Sequence, residues 1–310
     1  MADNTFDYNW YLVESHNCND QLRGLNMIYD NILYYQKEVY EFRKTHDILD
    51  ITPIKLVDKV SDKIPIWVYW HQGFDNAPDV IKMCINSLKE NMPLDKVEII
   101  LLDKNNLYKY IQTPTEILNN IKSNYTAYSD IIRFYLLYAY GGMYIDSTYL
   151  LVDKFPAENF EKDFWSVKTI YPSNRGYSPI IMFTTNLMYA KPGNPIMLFM
   201  YRYMSSYWYY SDISKRVYDI IMGVCYYGYT YHEYPRYYIE ELNNSNTQVH
   251  FFCNVYHLLD KFTEYKYKLI TDNTYFFKLS RKFNLYEYSE DQLTFWGYFK
   301  QKYLKGAFEL

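Results

Sequence analysis

In the segment SDIIRFYLLYAYGGMYIDSTY, residues 129–149, two carboxylates and one guanidinium interrupt a run that is otherwise nearly all apolar or aromatic. Asp130 and Arg133 are three residues apart, so on a helix they share a face and can pair. On an exposed helix such a pair contributes only a few tenths of a kcal/mol. Here Ile131, Ile132, Phe134, Tyr135, Leu136 and Leu137 surround it, which predicts a helix that is apolar almost all round and buried. An unpaired charge in such surroundings costs several kcal/mol. A helix that keeps two charges there is expected to line a cleft, where a polar ligand completes their hydrogen bonds. Asp146 follows a short predicted strand, MYI, and ligands of open α/β sheets bind beyond the carboxyl ends of strands. Gly141 and Gly142 remove two β-carbons just before it, so backbone or ligand can approach closely.

The elements that must hold these groups are legible around them. IPIWVYW (64–70) is a continuous apolar, β-branched and aromatic run, the pattern of a strand buried on both faces. The loop HQGFDN, carrying His71, Gln72 and Gly73, leaves its carboxyl end and opens on the same rim as Asp146. Of Trp67, Tyr69 and Trp70, one ring is expected to face a planar base and two to face the core. Asn76 can cap the next helix, with Pro78 near its first turn, Val80, Cys84 and Leu88 on its buried stripe and Pro93 closing it. KVEIILLD (96–103) is a second buried strand ending at Asp103, and together these make a βαβ unit. A short helix is predicted near 115–122. The helix of the opening segment starts at Thr126 or Ser129 and ends at Gly141 in the left-handed conformation. FWSVKTI, PIIMFTT and the late VHFFCN are predicted strands, and 194–209 and 212–227 predicted helices. Leu22, Leu25, Ile28, Ile32 and Tyr35 recur at helical steps, so residues 1–60 form an N-terminal helical extension to a mixed α/β domain over 61–310 with a mostly parallel sheet.

Composition excludes several classes. The chain has 310 residues, 49% hydrophobic and 22% charged, enough to bury a large core. A net charge of −4 leaves no basic excess for nucleic acid. Cys18, Cys84, Cys225 and Cys253 show no paired spacing, which predicts neither a zinc ribbon nor a disulfide scaffold and points to a reduced, cytoplasmic compartment. The N-terminus does not read as a signal peptide, and no stretch has the length of a transmembrane segment. The 40 tyrosines offer sugar-stacking rings, but their spread along the whole chain favours compositional drift. His232 and Glu233 lack metal-ligand spacing, and there is no phosphate loop or nucleophile elbow.

WVYWHQGFDNAP, VEIILLDKNN, SDIIRFYLLYAYGGMYIDST and the late KLSRK resemble the capsular polysaccharide synthesis glycosyltransferases. These are similar to the wider sugar-transferase family with a DXD motif, which includes fungal initiating mannosyltransferases and the glucosyltransferase domain of large clostridial toxins. The resemblance covers roughly residues 62–200, with a weaker echo near 275–282. It implies a GT-A fold and sugar transfer, with retention of anomeric configuration, from a nucleotide-sugar (a UDP-sugar by default) to a glycan or glycoconjugate acceptor. The enzyme would be cytoplasmic, free or peripheral to the membrane. By the same resemblance Asp130 and Arg133 match the pair that holds the donor sugar and ribose, and Asp146 matches the first Asp of DXD. The implied donor site is completed by Trp70, His71, Gln72, Gly73, Asp103, Gly142, Asn186, Lys278 and Lys282.

Thr148 stands where the wider family has the second, metal-binding Asp, and a hydroxyl is a poorer ligand for a hard cation than a carboxylate. The expectation is a divalent cation, Mn²⁺ or Mg²⁺, held by Asp146 with Thr148 beside it and by the diphosphate. The alternatives are a carboxylate from elsewhere, or a clamp made by Lys278, Arg281 and Lys282 in FFKLSRKF. Two rival readings are a carbohydrate-binding protein without turnover and a nucleotide-sugar hydrolase. A pure lectin has no reason to keep Asp130, Arg133 and Asp146 together.

Overall fold

The computed structural model describes residues 34–51, 54–57, 61–168, 183–215, 220–243 and 245–304. Helix α1, residues 34–45, buries Val39 and lays Tyr35 and Phe42 against the main core. Leu22, Leu25, Ile28 and Ile32, the rest of the predicted stripe, lie outside the described residues. Strand β1 (Ile64–Tyr69) is buried at every position but its first, as its unbroken apolar run predicts. Helix α2 (Asp79–Asn91) buries Val80, Cys84 and Leu88 together with Ile81 and Ile85. Its start corrects one expectation: Pro78, not Asn76, occupies the cap position, and its carbonyl accepts from the amides of Ile81 and Lys82. Strand β2 (Val97–Leu102) returns parallel to β1, in register from Ile64 with Val97 to Tyr69 with Leu102. It is the outermost strand of the sheet, so Glu98 is exposed and only Val97 and Leu102 are buried rather than the whole run.

Helix α3 (Thr115–Ile121) leads into α4 (Tyr125–Ala139). Here the structure again moves a boundary. Lys122 and Ser123 both have positive φ, so the chain turns before it reaches Thr126 or Ser129. Asn124 is the cap instead, accepting from the Ala127 amide at 3.1 Å. Gly141 closes the helix at φ 69°, as expected, and Gly142 begins β3 (Gly142–Ile145) at φ 91°. Strands β4 (Tyr149–Leu151), β5 (Phe164–Ser166) and β6 (Leu187–Ala190) follow. The main sheet has the order β2-β1-β3-β6-β5, with β1 parallel to β2 and β3 while β6 runs antiparallel to both β3 and β5. This is the expected mixed α/β layer with a mostly parallel central sheet.

Two predicted strands are displaced. Only Phe183–Thr185 of PIIMFTT lies among the described residues, and it is not extended sheet. The strand begins at Leu187, after a turn at Thr185–Asn186. VHFFCN forms a 3₁₀ turn at Phe251–Cys253, because a short apolar run buries equally well in either conformation. The late strand is β7 (Phe276–Lys278), paired antiparallel with β4. Helices α5 (Pro195–Tyr210), α6 (Ile220–Tyr231), α7 (Glu233–Glu240), α8 (Val255–Leu259), α9 (Glu264–Thr271) and α10 (Phe295–Tyr303) complete the described chain, with a small hairpin at Tyr288–Leu293. The helix expected over 212–227 is a 3₁₀ turn at Ile213–Lys215 followed by α6, which extends to Tyr231.

The two-residue period of the strands divides the core between the sheet's faces. Trp67 and Tyr69 of β1 and Tyr144 of β3 join the cluster under α4, α5 and α6. Ile66, Val68, Met143 and Ile145 join the opposite cluster with α2, β4, β7 and α10. Cys84, Cys225 and Cys253 are buried and form no disulfide among the described residues. Among the described residues, no helix is long and apolar enough to cross a membrane.

Candidate active site

Three strand ends meet at one rim. The register that pairs Trp67 with Tyr144 brings Tyr69 level with Asp146, and the antiparallel register of Ile145 with Leu187 brings Asn186 there as well. The Asp146 amide donates to the Asn186 carbonyl at 2.9 Å. Tyr149 and Thr184 donate to Asn186 Oδ1 at 2.6 and 3.0 Å, so Asn186 fixes the turn that carries Asp146. Above this rim lies a cavity of about 380 Å³.

Arg133 points into it from α4. Its Nε donates to the Ser129 carbonyl at 3.1 Å and its Nη1 to the Thr185 carbonyl at 3.1 Å. Nη2 faces Ser129 Oγ and Asp130 Oδ1, both at 3.0 Å, and Asp146 Oδ1 at 3.5 Å. The guanidinium carbon sits 5.1 Å from the centre of the Tyr144 ring. Burial works against its charge, but Asp130 and Asp146 outweigh that and raise its pKa above the ordinary value. Asp146 is the counterpart. Burial favours its neutral acid, yet Lys278 and Arg133 prevail and hold the carboxyl below its usual range. Lys278 Nζ reaches Asp146 Oδ2 at 2.6 Å and lies 4.9 Å from the Tyr149 ring centre.

The other wall is aromatic. The His71 ring stacks on Tyr125 at 3.6 Å between centroids, 18° from parallel, and its Nδ1 meets the Tyr69 hydroxyl at 2.7 Å. Burial and the nearby Lys104 lower the imidazole's pKa, which favours the neutral ring. Trp70 carries the Arg281 guanidinium 5.1 Å above its ring. Trp67 and Tyr69 are buried while Trp70 is partly exposed, but Tyr69 also lines the cavity, so two of the three rings reach it rather than one.

Trp70, His71, Gln72, Arg133, Asp146 and Thr148 all line this cavity. Asp130 stands behind Arg133 as its ion-pair partner. Gly73 and Asp103 lie together beside the rim, the glycine in the left-handed region at φ 89°, where a side chain would be strained, and facing Asp103 Oδ2. Asp103 accepts from the Asn105 amide and shapes that turn. Gly142 sits at the far end of β3 from Asp146, where a β-carbon would collide with the Pro65 carbonyl, so its absence serves strand packing. Lys282 lies in an exposed turn. Tyr125, Ser129, Tyr144 and Ser147 line the cavity without having been singled out. Ser129 was findable, one helical turn before Arg133, but Tyr125 is one tyrosine among 40 and carries no local signal.

Both oxygens of Asp146 already face protein cations, and Thr148 offers a hydroxyl. Among the described residues, no group of three His, Cys, Asp or Glu side chains is placed to hold a metal. Without a donor's phosphates, the described side chains do not fit a resident Mn²⁺ or Mg²⁺, which requires several hard oxygen ligands.

The family model for capsular polysaccharide synthesis protein matches residues 28–298. No curated protein sequence matches the chain. Among solved structures, a PaToxG glycosyltransferase is similar at 18% identity and a TM-score of 0.36, over 66% of this chain and 76% of that one.

Proposed function

The chain belongs to the capsular polysaccharide synthesis protein family, and from that premise we propose that it is a nucleotide-sugar-dependent glycosyltransferase acting on a glycan acceptor. The observation that carries this reading is the two-sided cavity. One wall presents Arg133 and Asp146, ion-paired and pre-oriented for sugar and ribose hydroxyls. The other presents Trp70, His71 and Tyr125, flat rings suited to a nucleobase. A nucleotide-sugar has the same two poles.

In the proposed reaction the bond between the anomeric carbon and the diphosphate oxygen breaks. The acceptor hydroxyl oxygen bonds to that carbon, and its proton passes to the departing diphosphate. Of the described residues lining the cavity, Asp146 carries the one carboxylate. A carboxylate held below its usual pKa by two cations is a weak base. Asp146 therefore accepts hydrogen bonds from donor hydroxyls rather than removing the acceptor's proton. This supports transfer with retention, in which the leaving group itself takes the proton. A UDP-sugar is the donor in this reading, and a cytoplasmic location goes with it.

The test is a panel of UDP- and GDP-sugars assayed for hydrolysis, for transfer to glycan acceptors and for thermal shift. One donor at a hundred times its Kd should stabilise the fold by about 2.7 kcal/mol, and the product should keep the donor's anomeric configuration. Stabilisation by glycans with none by any nucleotide-sugar would refute the enzyme reading. Turnover unaffected by every acceptor would make it a hydrolase.

A further inference from the structure

Any catalyst of this reaction must neutralise two phosphates as the glycosidic bond breaks, and either a metal or fixed protein cations can do it. Resting on the glycosyltransferase reading, we infer that this chain uses its own cations, with Lys278 seated on Asp146 and Arg281 facing the diphosphate, and binds its donor without a divalent ion.

Lys278 is a built-in group rather than a wandering surface lysine. It belongs to β7, in register with Tyr149 of β4. Its amide donates to the Val249 carbonyl at 2.7 Å, and its carbonyl receives the Cys253 thiol at 3.2 Å. Its ammonium lies between Asp146 Oδ2 and the Tyr149 ring, with the side chain only 17% exposed. A divalent ion bound to Asp146 from that side would have to displace this ammonium or stand against it. Asp146 Oδ1 is turned to Arg133, so neither oxygen presents an unopposed negative charge.

The segment that supplies Lys278 is also tied to the motif it serves. The Leu279 amide donates to the Thr148 carbonyl at 2.8 Å, which joins the DST turn to the KLSR segment. Arg281, three residues after Lys278, lies over Trp70 on the cavity wall. Thr148 completes the pattern: a carboxylate there would add a ligand for a metal, and the chain has a hydroxyl instead. Asp130, Asp146, Arg133, Lys278 and Arg281 together carry one net positive charge, which suits an anionic ligand. An ammonium has three protons, so Lys278 can keep Asp146 and still offer a donor toward a phosphate oxygen.

Binding of UDP and GDP to the whole chain, measured by calorimetry and thermal shift, tests this directly. One nucleotide is expected to bind after treatment with EDTA, and added Mn²⁺ should change its Kd by less than about 3-fold, well under the ~10-fold that a 1.4 kcal/mol contribution would produce. Arg281→Ala, an exposed position that leaves the fold intact, should weaken that binding ~10-fold or more in EDTA. Lys278→Met keeps the apolar stem and should weaken it similarly, with Mn²⁺ now restoring part of the loss because Asp146 Oδ2 is uncovered. Wild-type binding that appears only with Mn²⁺ or Mg²⁺ overturns the inference and leaves the glycosyltransferase reading standing. So does unchanged binding in EDTA by both variants. Absence of UDP and GDP binding under every condition overturns the nucleotide-sugar reading and this inference with it.

Discussion

The Lys278 ammonium stands 2.6 Å from Asp146 Oδ2, across 132 residues of chain. That one ion pair joins the late β7 strand to the turn after β3. It also leaves Asp146 ionised, paired on its second oxygen with Arg133, and only partly exposed on a cavity wall. The carboxylate is thus held in one charge state and one direction.

Asp146→Asn keeps size and removes charge. If Asp146 organises the donor, turnover with the preferred nucleotide-sugar should fall by about 10²-fold or more, while far-UV circular dichroism still reports the native fold. Transfer near the wild-type rate would remove Asp146 from the reaction.

Arg133→Met leaves Asp130 and Asp146 facing each other without the buried guanidinium that separates them. Breaking such a network should cost about 3–5 kcal/mol, read as a lower midpoint in urea unfolding with an unchanged slope. A loss under about 1 kcal/mol would mean that water entering the cavity replaces the guanidinium.

Tyr125→Ala removes half of the His71 stack at the first residue of α4, where the ring is 37% exposed. Nucleotide Kd should rise by roughly 5- to 10-fold, the worth of one aromatic pair, with little change in melting temperature. A large drop in melting temperature with unchanged nucleotide affinity would make the stack structural only.

His250 supplies a pH dependence. Burial, assisted by Lys278, pushes its pKa down from 6.5 to about 4, and its Nδ1 has no hydrogen-bond partner. The folded value lies below the unfolded one, so the unfolded chain takes up the proton first as pH falls. The stability present above about pH 6.5 is therefore lost between about 6.5 and 4. In His250→Gln the fall in melting temperature across that window should be smaller than in the wild type by ~3 °C or more. Parallel curves for the two proteins would show that another group titrates there.

Local patterns in the sequence determined the scaffold of the site. IPIWVYW read as a buried strand because an unbroken apolar run of that length satisfies itself only when both faces are covered, and it is. VEIILL is also a strand, but at the sheet's edge, where Glu98 is exposed and only Val97 and Leu102 are buried. The 129–141 segment read as a buried helix because apolar residues surround its charges, and Asp130 and Arg133, three residues apart on one face, form the expected ion pair. Asp146 read as a rim residue because it ends a strand. What the tertiary structure alone decided lies between segments distant in the chain. Whether Lys278 would reach Asp146 depends on β7 pairing with β4, and strand pairing is set by register and closure over 132 residues, not by either segment's own pattern. VHFFCN shows the same limit from the other side. Its apolar run satisfies burial as a turn as well as it would as a strand, and the neighbours it packs against made the choice. Tyr125 entered the site for a similar reason: which of 40 chemically equal rings lines the cavity follows from the turn at Lys122–Asn124 that aims α4, and no local signal in the residue itself distinguishes it.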